Sequence, residues 1–177
     1  MEKKNNYKPW DISVVNFPQN DSLQGQLTFL IGFALLAPSG HNSQPWQFSI
    51  GNDFVDVFVV PERSLSQSDP EGRQLSIAMG CSLENLKIAA DYFGFEASAK
   101  YFPDESRPLL FARVFLAQKK PVSTDKQHLI FSIPKRRTNR NKYESRTLSR
   151  EFIESVAKLS SQDLHVGIVT EHDQKIS

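Results

Sequence analysis

The sequence predicts a mixed fold of α-helices and β-strands, and three observations carry that reading. Apolar residues recur at helical spacing in two places, first Leu23, Leu27, Leu30, Ile31, Ala34 and Leu35, then Leu75, Met79, Ser82, Leu83, Leu86, Ala89, Ala90 and Phe93. Two strand-like runs flank Gly51-Asn52, a spacer that signals a hairpin. Two more strand-like runs, 96–102 and 109–117, follow the second helical stretch.

Residues 1–20 are polar, contain Pro9 and Pro18, and read as an N-terminal arm. Asp21 and Gln24 form a capping pair for a helix over 22–36, which Pro38 stops. Ser39, Gly40, His41, Asn42 and Ser43 then make a polar turn. In the first strand Trp46, Phe48 and Ile50 alternate with Gln47 and Ser49, and the second covers 53–60. A turn-rich loop over 61–71 leads to the longest helix, which ends at Gly94 and whose apolar face marks the core. The run over 109–117 holds one charge, Arg113, as a well-covered strand would. A short helix is expected over 126–133. Ser149 caps another, with Phe152, Val156 and Leu159 on its buried side, and 164–169 reads as a strand. Thr170-Glu171-His172-Asp173 opens a further helix with only four residues left, which suggests a fragment of a longer chain, with a disordered natural tail as the alternative.

Composition bounds the function. A chain of 177 residues makes one domain, or one and part of a second, and 39% hydrophobic with 23% charged residues is ordinary for a globular protein. The longest apolar stretch, 29–37, is broken only by Gly32 and is about half of what a membrane span needs. Without an apolar segment behind the basic N-terminus no secretory signal is read, and the cytoplasm is the expected compartment. One cysteine, Cys81, and four scattered histidines support neither an intrachain disulfide nor a structural zinc site; Cys81 reads as a small core residue. Net charge is +1, yet Lys135, Arg136, Arg137, Arg140, Lys142, Arg146 and Arg150 face one acid, Glu144, within 135–150. A local basic cluster in a balanced chain fits a specific anion better than nucleic acid or a membrane, and it fits a solvated basic helix start as well.

Two segments could carry chemistry. The loop from Ala37 to Trp46 gathers Ser39, His41, Asn42, Ser43 and Gln44, whose amides and hydroxyls can read a ligand rich in carbonyls, ring nitrogens and hydroxyls. The same composition suits an ordinary connector. His41 has no acid in the loop to orient it, so no triad is read. The second segment, Arg136-Arg137-Thr138-Asn139-Arg140, offers guanidinium forks and a hydroxyl suited to a phosphate. Neither a P-loop nor a GxGxxG pattern is present.

Together these segments resemble the nitroreductase superfamily of flavoenzymes. APSGHNSQPWQF at Ala37 to Phe48 is similar to the family's loop before its first central strand, and RRTNRNKY at Arg136 to Tyr143 to its phosphate-binding arginine motif. In ordinary nitroreductases the arginine motif precedes the QPW loop. Here it follows, with DPEGRQLSIAMGCSLENLKIAA between them, an order that resembles the Acg-like branch, in which one chain carries two nitroreductase-like halves.

The resemblance implies an α+β fold, an antiparallel-rich sheet flanked by helices, with FMN held where two such units meet. Arg136, Arg137, Thr138 and Arg140 would meet the phosphate; Ser39, Asn42 and Gln44 would approach the ribityl chain or flavin ring, with Pro38 and Trp46 shaping the loop. Asp69, Gly72 and Arg73 also match family positions, though a helix-start cap and surface charge account for Asp69 and Arg73, and hydrogen bonding between helices or to solvent for Glu84 and Asn85. On this reading 1–20 is the arm, 21–125 a first half and 126–177 the start of an incomplete second. Flavin would carry the redox step, with NAD(P)H as donor and a nitroaromatic, quinone or similar small molecule as acceptor, so no protein acid or base is required and no metal is expected. A homo-oligomer, or a C-terminal half, would supply the other wall. Two alternatives stay open: a flavin-sequestering protein without turnover, and a module binding RNA or another partner through the basic segment.

Overall fold

The computed structural model describes residues 5–118, 127–162 and 164–168. The chain forms two compact units, Met1–Arg137 and Thr138–Ser177.

The first unit is an α+β fold built on a four-stranded antiparallel sheet. Helix α1, Leu23–Ala34, starts where the Ser22 hydroxyl accepts from Gly25 N at 3.2 Å. The cap therefore falls on Ser22 and not on the expected Asp21, whose carboxylate accepts instead from Ser22 N at 2.7 Å. Strands β1, Trp46–Ile50, and β2, Phe54–Val59, pair from Trp46↔Val59 to Ile50↔Val55. Gly51 N donates to Phe54 O at 2.8 Å, so Asn52 and Asp53 are the loop residues, one position later than the Gly51-Asn52 spacer. Helix α2, Arg73–Tyr92, is the longest, and Gly94 beyond its end takes φ 79°, a conformation open to glycine at little cost.

Strands β3, Phe95–Tyr101, and β4, Leu110–Gln118, form a second hairpin, and the sheet order is β1-β2-β4-β3. Since β2 and β3 are each antiparallel to β4, they run in the same direction, with α2 as the crossover and β4 inserted between them. Val55, Val57, Ala112, Val114 and Leu116 are buried in one core with Leu27, Leu30 and Phe33 of α1 and Met79, Leu83 and Leu86 of α2. Each such large side chain contributes about 1.5–3 kcal/mol by leaving water. In β4 the buried residues alternate with Phe111, Arg113 and Phe115, so only one face of the strand is fully covered, and the single charge lies on the other.

The N-terminal segment is more than a polar arm. Two 3-10 helices, Asn5–Asp11 and Val14–Asn16, bring Trp10, Ile12, Val14 and Phe17 against the core, and the Phe17 ring stacks on Phe93 at 4.1 Å. Gly32 of α1 permits this approach, because a Cβ there would come within 2.6 Å of Ile12 Cδ1. The short helix expected over 126–133 is a 3-10 helix, Gln127–Phe131, with Ile130 and Ile133 buried; Lys126 lies outside the described residues.

In the second unit Ser149 caps α3, Arg150–Ala157, by accepting from Phe152 N at 3.2 Å, as expected. Its apolar stripe is not buried: Phe152 is 52% and Leu159 63% exposed, and Val156 is half-buried. No strand forms over 164–168, because a strand needs a partner for its backbone and none is paired there; Val169 and 170–173 lie outside the described residues.

Helix α2 depends on Asp69. Gly72 at its N-cap has no side chain to offer, and the Asp69 carboxylate accepts from Gln74 N at 3.0 Å and Leu75 N at 2.9 Å. These backbone donors, Gln74 foremost, hold the Asp69 carboxyl below its ordinary pKa. A lowered pKa contributes stability that is complete above the unfolded carboxyl's value of about 3.9 and is lost as pH falls through the folded one. The gap in melting temperature between the parent chain and Asp69→Asn should therefore be full at pH 6 and narrow on acidification below about pH 4. A gap independent of pH would show that the charge is not what caps the helix.

Candidate functional site

The last carbonyls of a helix have no partner within it, and across the end of α1 and the two residues that follow it four consecutive carbonyls accept from side chains of three other segments. Asn85 Nδ2 donates to Phe33 O and Ser82 Oγ to Ala34 O, both at 3.2 Å; Gln44 Nε2 reaches Leu35 O at 3.5 Å; Arg136 Nη2 donates to Leu36 O at 3.3 Å. The first two dock α2 on α1, the role between helices anticipated for Asn85. The other two bring the loop and the first arginine of the basic motif to the same helix end, where the C-terminal partial negative charge favours a cation.

The loop that follows is held in an unusual backbone. His41, Asn42 and Gln44 take φ of 49°, 56° and 49°, although none is glycine. Gln44 N donates to Ser39 Oγ at 3.0 Å, and Arg63 Nη1 donates to Gln44 O at 3.1 Å, so the turn is closed from inside and clamped from outside. Ser39 and Gln44 are half-buried while His41 and Asn42 are exposed, and buried Pro45 and Trp46 anchor the exit into β1. Beside the loop lies a shallow recess lined by Gly40, Ser43, Arg63, Leu65 and Gln74. Replacing His41 by glycine should relieve about 0.5–1 kcal/mol of left-handed strain and raise the melting temperature by about 1–4 °C. A fall in thermal melts would mean that the imidazole itself holds the turn.

Of the basic motif, Arg136 and Arg137 belong to the first unit and Thr138 and Arg140 to the second. Arg137 Nη1 donates to the carbonyls of Pro134 and Arg136, both at 2.8 Å, and among the described residues no carboxylate pairs with Arg137. In the second unit Asn141 N donates to Asn139 Oδ1 at 3.0 Å and Asn139 Nδ2 to Asn141 O at 3.3 Å, which leaves Arg140 exposed at the apex of that turn. Of the predicted residues, then, Ser39, Asn42, Gln44, Arg136 and Arg137 share one unit, and Gln44 and Arg136 meet neighbouring carbonyls. Arg63, which clamps the loop, was invisible to motif reading because its contact is to a backbone oxygen. Asp69 serves as a helix cap.

The donor set suits an anionic, polar ligand. Guanidinium groups give charge-assisted hydrogen bonds to a phosphate, and the exposed Asn42 amide can both donate and accept. Among the described residues no group of His, Cys, Asp or Glu could hold a metal ion, and no helix is long and apolar enough to cross a membrane.

No family model matches the chain. It is 31% identical over 128 residues to the Mycobacterium tuberculosis (strain H37Rv) protein named "Putative NAD(P)H nitroreductase Rv3131", a stretch covering 72% of this chain and 36% of that protein. A second protein of that organism, bearing the same description with the name acg, is 32% identical over 84 residues, 48% of this chain and 25% of its own length. The chain thus spans about a third or less of these two relatives. Among solved structures, the nitroreductase family protein from Streptococcus pneumoniae TIGR4 aligns at 17% identity and a TM-score of 0.42, over 55% of this chain and 81% of that one.

Proposed function

The chain belongs to the nitroreductase superfamily and is Acg-like, and on that premise we propose that it binds FMN and serves an oxidoreductase that passes electrons from NAD(P)H to a nitroaromatic, quinone or similar small acceptor. The observation that carries the proposal is the meeting of Gln44 and Arg136 on the carbonyls of Leu35 and Leu36, which joins the amide-rich loop to the arginine motif.

In this reading Arg136 and Arg137 hold the phosphate, with Thr138 and Arg140 as further donors, and Ser39, Asn42 and Gln44 address the ribityl chain and the ring. When bound, FMN supplies the hydride and electron chemistry. The protein's part is to orient and to exclude water, and the clamped loop suits it: the Ser39 hydroxyl and Arg63 fix the Gln44 backbone from two sides, so its amide is placed before ligand arrives. The strain at His41, Asn42 and Gln44 fits a loop shaped for a ligand more than for stability. The other wall of the pocket comes from a second nitroreductase-like unit, which a twofold homodimer would supply.

The test is a flavin titration of the purified chain followed by absorbance and fluorescence, then oxidation of NADH and NADPH. Saturable FMN binding with turnover supports the proposal. A yellow protein that leaves NAD(P)H untouched sequesters flavin, and no binding in either monomer or dimer fractions removes the flavin assignment.

A further inference from the structure

We infer that Trp10 is a positioning residue for the arginine pair. The indole of the N-terminal 3-10 helix acts as a platform that holds Arg136 and Arg137 in place for an anion. This rests on the phosphate role proposed above and goes beyond it, because nothing in the motif or the family resemblance assigns the arm a part in the site.

The ring centre of Trp10 lies 4.4 Å from Cζ of Arg137 and 6.0 Å from Cζ of Arg136, both within reach of a cation–π attraction. Trp10 itself is half-buried and packed against the core, so the platform is fixed and does not follow the side chains it carries. The same guanidinium groups are also held by hydrogen bonds: Arg136 on Leu36 O, Arg137 on the carbonyls of Pro134 and Arg136. Two adjacent guanidinium groups repel each other and, as long flexible side chains, would otherwise sample many rotamers. An aromatic face offsets part of that repulsion through its negative quadrupole and engages the face of the guanidinium, not the in-plane edge through which hydrogen bonds to an anion are made. Side chains ordered before the ligand arrives lose less on binding it.

The arrangement is tested by comparing FMN with riboflavin, which has the same ring and ribityl chain but no phosphate. In Trp10→Leu the preference of the protein for FMN over riboflavin should fall about three- to fivefold, the size of a cation–π contribution at a partly exposed site, with riboflavin affinity unchanged. Trp10→Phe, which keeps an aromatic face, should retain most of the preference. A merely structural role predicts otherwise: Trp10→Leu would weaken both flavins equally and leave the ratio intact, and that result overturns the inference while leaving the flavin reading in place. If the parent chain binds neither flavin, the flavin reading fails, and the Nε–Hε NMR resonance of Arg137 decides the positioning alone. Ring current from the indole should displace that resonance in the parent relative to Trp10→Leu; coincident resonances overturn the inference.

Discussion

Arg136→Ala should lower FMN affinity by about ten- to hundredfold, the loss of 1.5–3 kcal/mol expected when a charge-assisted hydrogen bond to phosphate is removed. The substitution also removes the donor from Leu36 O at the end of α1, and an acceptor left without its partner should cost about 1 kcal/mol of folding stability. Both effects have the same origin, since the guanidinium spans the helix end and the proposed phosphate. Arg136→Lys separates them. An ammonium keeps the charge near the helix C-terminus but cannot present a planar fork, so stability should largely return while flavin affinity recovers only in part. Flavin fluorescence titration and thermal melts read the two quantities independently. A normal FMN titration in Arg136→Ala beside a lowered melting temperature would leave Arg136 as a helix-end residue and nothing more.

The parts of the fold that the sequence discloses are those with a local period or a local strand-like run. Both long helices and β1 were readable because burial on one side imposes spacing of 3.6 or 2 on the apolar residues, and the other three strands of the first unit as strand-like runs between turns. Their ends were less readable. Ser22 and Asp21 are both good caps, and only the approach of Gly25 N to the Ser22 hydroxyl decides between them. Trp10, Ile12, Val14 and Phe17 follow no period, since they enter the core from two short 3-10 helices and the residues just after them, and so they read as part of a polar arm. Along α3 the opposite holds: Phe152, Val156 and Leu159 form a stripe that states which side could be covered, while covering it is a tertiary event absent among the described residues. The site divides in the same way. The residue types of the loop and of the arginine motif are visible in the sequence, but the left-handed backbone of His41 and Gln44 is not, because no glycine marks it. Nor is the meeting of Arg136 with Leu36, which depends on the whole unit having folded.

Arg113→Ala should destabilise the chain by about 2–3 kcal/mol, through an acid that the sequence pattern did not flag. Asp56 stands directly opposite Arg113 in the β2–β4 pairing and is only 4% exposed. Arg113 Nε donates to Oδ1 at 2.7 Å and Nη2 to Oδ2 at 2.8 Å, a two-point fork, and its Cζ lies 4.0 Å from the centre of the Phe54 ring. The carboxylate in turn holds the Arg113 pKa above its ordinary value, chiefly through that hydrogen bond. Removing one partner of a buried pair costs about 3–5 kcal/mol, because the other charge stays in a medium that solvates it poorly. Two features reduce the figure here. The Arg113 side chain is itself 29% exposed, and Arg107 Nη1 remains 3.6 Å from Asp56 Oδ2. The cost belongs to the orphaned carboxylate more than to the lost attraction, so the double variant Asp56→Leu, Arg113→Leu should be less destabilised than Arg113→Ala alone, by at least about 1 kcal/mol. Urea unfolding of the two variants measures this directly. If the double variant proves as unstable as the single one or more so, the net attraction of the fork, and not the desolvated acid, is what holds this face of the sheet.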